Sequence, residues 1–306
     1  MALLSTKRVV ENVDRQLLQR SHALLDHGVR PSLSAILVEG DPASVTYFHA
    51  KRRLAEKLGV AFRGVKLPAD ASTDDLLQTV RRCSEDPSVH GVFLEMPLPS
   101  HVDSLRIRNA VPVAKDIDCV SDAAIGLVLT ASSAVPAAGV ATHLPATPLA
   151  VLELLHAARI PVAGSHAVVV GRSLTVGRPL ALLLLAENAT VTVCHSRTTD
   201  LARYTRWADI LCVAAGKPHL IGQDHVRKGA VVIDIGIHAT PEGLVGDVDT
   251  QAVVDHASWV TPVPGGVGAL TTRMILANVL RAAELSCGHA DSTDDLLARR
   301  KERPTS

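Results

Sequence analysis

Short, uninterrupted apolar runs alternate along this chain with longer stretches in which apolar and polar residues mix at helical spacing. The short runs are "SAILV", "GVFLEM", "HAVVVG", "ATVTVC", "DILCVAA" and "AVVIDIG", and the longer ones include "SVTYFHAKRRLAEKLG", "TPLAVLELLHAAR" and "RPLALLLLAE". An apolar run without polar alternation fits a strand covered on both faces, and strands joined through helices form parallel sheets. The pattern predicts an α/β protein. The helix of "SVTYFHAKRRLAEKLG" is expected to start near Ser44 and to stop at Gly59. A stretch rich in Ala, Pro, Thr and Ser, "SSAVPAAGVATHLPATP" at 132–148, interrupts the alternation and marks the expected break between two domains. The polar, charged end of the chain, 289–306, is expected to be a disordered tail.

Two places in this frame carry chemistry. In the second half, strand "SHAVVVG" runs into "GRSLTVGRPLALLLL", which opens a helix, and strand "ATVTVCHSRT" follows about one βαβ unit later. In that setting Gly171 and Gly177 let backbone approach a pyrophosphate, while the helix starting near Pro179 offers free N–H groups and a positive dipole end. The general GxGxxG fingerprint is absent. After the second strand, where an acid would bind the ribose hydroxyls of NAD, the chain has "CHSRT". Arg172, Ser196 and Arg197 therefore suit a 2′-phosphate and favour NADP; the alternative is a tight turn with solvated arginines. In the first half, Tyr47 and Lys51 are four residues apart and share one helix face. An amine beside a phenol can move protons if burial tunes it, although the same spacing also occurs on ordinary helix surface. "VAKDIDCVSD" adds Asp116 and Asp118, and "TPVPGGVGALTT" adds Gly265, Gly266 and Gly268 in a loop that could approach a flat ligand or form a rigid turn.

Composition narrows the partners. With 306 residues and 47% hydrophobic positions the chain can fill two cores. Lys plus Arg and Asp plus Glu number 31 each, so no global field favours nucleic acid or a membrane surface. The five cysteines (Cys83, Cys119, Cys194, Cys212, Cys287) are widely spaced without a CxxC pair, which argues against a disulfide framework or a metal site and for a reducing cytoplasm. The opening "MALLSTKRVVENVDR" is too short an apolar run for a signal peptide, and no run approaches the length of a membrane span. A soluble protein is expected.

The blocks "PASVTYFHAK", "MPLP", "KDID", "ATP", "VVVGRSLTVGRP", "NATVTVCHSRT", "AAGKP", "VVIDIGI", "GDVD" and "TPVPGGVGALTT" stand in an order and spacing that resembles the bifunctional methylenetetrahydrofolate dehydrogenase/methenyltetrahydrofolate cyclohydrolase family, over roughly residues 5–285. The resemblance implies two α/β domains with a cleft between them. An N-terminal folate-binding domain (1–142) would be completed by a C-terminal helix (271–288), and 143–270 would be a Rossmann-type NADP-binding domain through which a homodimer forms. It implies tetrahydrofolate one-carbon derivatives as substrates. Tyr47 would flank the folate ring, Lys51 would manage protons around the attacking water of the cyclohydrolase step, and Asp118 would anchor the pterin's amino-pyrimidine edge. Thr147, Gly171, Arg172, Ser173, Val176, Gly177, Pro179, Ser196, Arg197, Gly216 and Ile237 would line the NADP site. Pro264, Gly265, Gly266 and Val267 would border the folate.

The chain departs from the family pattern at one catalytic position. Where the family block reads V-Q-L-P-L-P, residue 95 is Glu95. A carboxylate close to an ammonium favours the charged form, by roughly ten- to thousandfold in the proton equilibrium. Lys51 then becomes a poorer base, and weak or absent cyclohydrolase activity is expected. The alternative is a protonated Glu95 that mimics the amide. Other departures lie on the same side: Cys119 follows Asp118 where the family has Gly, Ala124 replaces an Asn, Ala146 a Cys, Ala150 a Gly, and Gly268-Ala269-Leu270-Thr271 replaces G-P-M-T. Cys119 is either a reactive thiol or a small buried filler. The leading expectation is an NADP-dependent dehydrogenase; the alternatives are a folate-dependent methylene-transfer enzyme of specialised metabolism, with Glu95 as base or cation stabiliser, or a folate/NADP-binding protein without turnover.

Overall fold

The computed structural model describes residues 6–130, 143–241 and 243–288. These divide into two compact units: 13–127 with 143–144 and 275–288, and 145–274 with 6–12 and 128–130. The expected interdomain break at 132–148 falls largely outside the described residues, as does the expected tail at 289–306.

In the first unit the order is α1 (Lys7–Asp26, its residues to 12 assigned to the second unit), β1 (Ser32–Val38), α2 (Pro42–Lys57), β2 (Ala61–Leu67), α3 (Thr73–Glu85), β3 (Gly91–Leu94), α4 (Ser104–Asn109) and α5 (Asp122–Thr130, its residues from 128 assigned to the second). The three strands form a parallel sheet with β1 between β2 and β3. Every residue of β1 is buried, which is why "SAILV" shows no alternation: the central strand has no wet face. On one side α3 lays Leu76, Leu77, Val80 and Cys83 against Ile36, Val92 and Leu94. Fully burying each aliphatic side chain contributes about 1.5–3 kcal/mol. The start of α3 is held by a reciprocal capping box between Ser72 and Asp75. Helix α2 starts at Pro42, two residues before the expected Ser44. Asp41 caps it by accepting from Ala43 N (3.2 Å) and Ser44 N (3.0 Å), and Pro42 occupies a first-turn position where its missing N–H costs nothing.

The second unit carries α6 (Ala146–Ala157), β4 (His166–Val170), α7 (Gly177–Ala186), β5 (Thr190–Cys194), α8 (Leu201–Thr205), β6 (Ile210–Val213), β7 (Val231–Asp234), β8 (His238–Thr240), β9 (Gly243–Val245), α9 (Thr250–Val253) and β10 (Trp259–Val260). Five parallel strands are ordered β10-β7-β6-β4-β5, and β8 and β9 pair antiparallel as a separate hairpin. From β4 the chain moves to β5 on one side and then crosses to β6 on the other. The connections leave in opposite directions between β4 and β6, the position where open α/β sheets bind ligands at their carboxyl ends. The last helix, α10 (Val267–Ser286), begins four residues before the expected 271; its residues to 274 belong to the second unit and those from 275 to the first.

Candidate active site

In the first unit, α2 and the end of β3 bring a buried ion pair together. Lys51 lies on the inner face of α2, and Glu95 is the residue after β3, its backbone N–H donating to Ile36 O at 2.9 Å. Lys51 Nζ donates to Glu95 Oε2 at 2.9 Å, with the two residues only 8% and 5% exposed. The other oxygen, Oε1, is buried with no hydrogen-bond partner among the described residues. Nζ also lies 4.7 Å from the centroid of the Phe93 ring and 6.0 Å from that of Tyr47. A cation at such distances from a ring face is attracted by the ring's quadrupole. Burial pushes the Glu95 carboxyl above its ordinary range, and the Lys51 charge and hydrogen bond oppose that rise. Tyr47, one turn before Lys51, is 45% exposed and so presents its ring outward as well as toward the amine. Phe93 was not singled out from the sequence. It precedes Glu95 by two positions, and period-two alternation puts both on one face.

The loop after the 113–115 turn is organised by Asp116. Its carboxylate, 1% exposed, accepts from Val120 N (3.0 Å) and Ser121 N (2.9 Å), and burial pushes its pKa up against those bonds. Asp118, two residues on, is half-buried. Cys119 adopts φ +52°, the left-handed region that favours glycine and explains the glycine of the family pattern. Its thiol donates to His143 O at 2.9 Å and is 1% exposed. Burial, reinforced by the charges of Asp116 and Asp118, pushes that thiol well above its ordinary pKa. Cys119 is therefore a filler rather than a nucleophile. The neighbouring His143 is pushed down to about 4, chiefly by burial, and stays neutral.

In the second unit, the turn between β4 and α7 is built for close approach. Gly171 has φ +131°, and a Cβ there would fall 2.1 Å from Ala214 O; one on Gly177 would fall 2.3 Å from Gly171 O. No other residue fits either position. Ser173 Oγ accepts from Val176 N and Gly177 N, both at 3.2 Å, which ties the turn to the start of α7 and leaves the hydroxyl proton free to donate. Val176 is the N-cap residue and Pro179 sits in the first turn. Because Val170 pairs with Cys194, Arg172 and the pair Ser196 and Arg197 leave adjacent strands side by side, and all three are exposed. A glycine cradle, a ten-residue helix N-terminus and two exposed guanidinium groups beside a hydroxyl fit a phosphorylated dinucleotide.

The remaining predicted residues are spread over the same unit. Gly216 lies in the loop after β6, exposed at φ +69°. Thr147, in the first turn of α6, is 3.5 Å from Thr271 through their hydroxyls. Ile237 is 39% exposed and lies against Gly268, where a Cβ would come within 2.8 Å of its Cδ1. Pro264 and Gly265 are exposed, Gly265 O accepts a hydrogen bond from Thr6, and Gly266 and Val267 are buried where α10 begins. A second cluster was missed: the buried Asp234 and Asp247, in the blocks "VVIDIGI" and "GDVD", with the half-buried His238 just after the first. An acid closing a wholly buried strand was the available signal. Among the described residues, no group of three His, Cys, Asp or Glu side chains could hold a metal ion, and no helix is long and apolar enough to cross a membrane.

Comparison with known proteins bears on both units. The sequence model "Tetrahydrofolate dehydrogenase/cyclohydrolase, catalytic domain" matches residues 4–118, and the corresponding NAD(P)-binding domain matches residues 145–287. The chain is 41% identical over 283 residues to bifunctional protein FolD 2 of Desulfitobacterium hafniense, covering 92% of this chain and 97% of that one. It is 45% identical over 284 residues to bifunctional protein FolD 1 of Rubrobacter xylanophilus, with the same coverage of 92% and 97%. The crystal structure of the FolD methylenetetrahydrofolate dehydrogenase/cyclohydrolase from Campylobacter jejuni superposes with a TM-score of 0.88 at 36% identity, over 93% of this chain and 99% of that one. The Trypanosoma brucei enzyme, complexed with NADP cofactor and an inhibitor, gives 0.87 at 33% identity over 94% and 98%.

Proposed function

Since the chain belongs to the tetrahydrofolate dehydrogenase/cyclohydrolase family, we propose that it oxidises 5,10-methylenetetrahydrofolate to the 5,10-methenyl form with NADP, and that its cyclohydrolase activity is weak. The observation that carries the second half is the buried Lys51–Glu95 pair at 2.9 Å. Ring opening adds water to the methenyl carbon and needs a group that can take up and return a proton there. A carboxylate hydrogen-bonded to the ammonium, inside a pocket of aromatic faces, opposes release of that proton. A neutral amide in the same place would not.

Bound NADP supplies the hydride acceptor. The chain's own residues bind and orient. Gly171, Ser173 and Gly177 admit and cap the pyrophosphate, Arg172, Ser196 and Arg197 take the 2′-phosphate, and Thr147, Val176, Pro179, Gly216 and Ile237 complete the nucleotide site. Tyr47 flanks the folate ring, Asp118 accepts from the amino-pyrimidine edge, and Pro264, Gly265, Gly266 and Val267 border the folate. A homodimer through the second unit is part of the proposal: β5 is the edge of its sheet, with Val193 exposed on it and Leu185 exposed on α7 beside it. The five free thiols suit a reducing cytoplasm.

The test is spectrophotometric. With methylenetetrahydrofolate and NADP, NADPH should form while the methenyl product accumulates. Absence of NADPH with loss of the methylene carbon to an added amine or alcohol would overturn the dehydrogenase reading. In Glu95→Gln the ratio of ring opening to NADPH formation should rise by about tenfold or more, one power of ten for each 1.4 kcal/mol of proton affinity relieved. An unchanged ratio sinks the role given to Glu95.

A further inference from the structure

The second unit contains a relay of two buried carboxylates that hold backbone rather than ligand. Asp234, at the end of β7, accepts from Gly236 N (3.1 Å), Asp247 N (3.0 Å) and Val248 N (3.0 Å), which pins the 247–248 segment to the sheet. Asp247, 0% exposed, in turn accepts from Ala215 N (2.6 Å) and Gly216 N (3.0 Å) on Oδ2, and from Lys217 N (2.8 Å) and His238 Nε2 (2.7 Å) on Oδ1. An ionised carboxylate has about four acceptor positions, so these donors fill it.

Three consecutive N–H groups turned toward one carboxylate fix where the carbonyls go. In a planar trans peptide the C=O points opposite to the N–H, so the oxygens of Ala214, Ala215 and Gly216 turn away from Asp247. That of Ala214 goes to the glycine turn, 2.1 Å from where a Cβ on Gly171 would be. Those of Ala215 and Gly216 belong to exposed residues, and nothing lies within 4 Å of a Cβ built on Gly216. The loop thus offers acceptors at the carboxyl end of β6, on the far side of the β4/β6 switch point from Arg172, Ser196 and Arg197. With its N–H groups consumed it cannot cradle phosphate; it suits hydroxyl and amide donors. A dinucleotide lies across such a switch point with one nucleoside on each side. We propose that Asp247 is a positioning residue, setting the 214–217 loop so that its carbonyls accept from the ribose hydroxyls and carboxamide of the nicotinamide half. This rests on the NADP reading above.

Calorimetric titration of the full-length protein with NADP and with adenosine 2′,5′-bisphosphate, which carries only the adenosine half, separates positioning from general damage. Asp247→Asn keeps the shape but sets an NH2 group against N–H donors. NADP Kd should rise by about tenfold or more, with the bisphosphate Kd unchanged within about twofold. Gly216→Ala leaves the Asp247 side chain unaltered but puts a methyl on a left-handed backbone (φ +69°), so it disturbs the loop from its outward side; it should give the same split, and it decides the matter if Asp247→Asn does not fold. Equal weakening of both ligands, or no weakening of NADP, overturns the inference. Wild-type protein that fails to bind NADP overturns the proposed function and this inference with it, whereas wild-type binding that the variants leave unaltered overturns this inference alone.

Discussion

At position 95 the difference between an amide and a carboxylate is one heavy atom, and its consequence depends on what surrounds it. On a solvated surface a Lys–Glu pair contributes little, about 0–1 kcal/mol. Here both partners are buried, the nitrogen sits 4.7 Å from the Phe93 ring centroid, and one carboxylate oxygen has no partner among the described residues. Each proton movement at Lys51 must then break a charge-assisted bond that water cannot replace. That is why Glu95→Gln is expected to raise ring opening relative to hydride transfer, measured as methenyl decay against NADPH formation. The sequence made the identity of this residue plain, and the family resemblance placed it opposite Lys51. The depth of burial and the Phe93 face were not legible, because they depend on how α2 packs over β3. Cys119 illustrates the same limit. Its residue type allowed a nucleophile or a filler, and only its left-handed backbone, 1% exposure and bond to His143 O decide for the filler.

Among the elements, the parallel strands β1, β4, β6 and β7 were legible because burial on both faces removes polar alternation, whereas the partly exposed edge strand β2 was not read. The two residues of β10 and the three-residue strands of the β8/β9 hairpin were not, since so short a segment carries no period. The end of β7 also has a measurable consequence. Asp234 is pushed up to about 6, first by burial and further by the charge of Asp247, against its backbone N–H bonds. A carboxyl whose folded pKa exceeds its unfolded value of about 3.9 binds its proton more tightly when folded. Its contribution to stability is full below about pH 4 and is lost as pH rises through 6. By this linkage the second unit should lose on the order of 2–3 kcal/mol between pH 4 and 7 from this group. Scanning calorimetry of wild type and Asp234→Asn should show a smaller decline in Tm over that window in the variant; parallel profiles would contradict the assignment.

For the whole molecule, thiol chemistry and mass report on the fold and the assembly. Cys83, Cys119, Cys194 and Cys212 are buried, whereas Cys287 is half-buried near the end of α10. A disulfide reagent should modify one thiol quickly in the native protein and five in denaturant; fast reaction of a second would show that a core opens. Sedimentation should report a dimer, and Val193→Lys on the β5 edge should shift it toward monomer if that edge is the contact. The sequence by itself determined the α/β class, the two-part organisation, the glycine turn between β4 and α7 and which side chains are candidates for the chemistry, because periodicity, glycine placement and motif order are local properties of the chain. The tertiary structure alone decided which charges are buried against which. It paired Lys51 with Glu95 between aromatic rings, and it turned three successive amides of the 214–217 loop onto Asp247. Those contacts join residues about thirty or more positions apart, and the free energy of a charge depends on the dielectric and the donors around it, which no local pattern encodes.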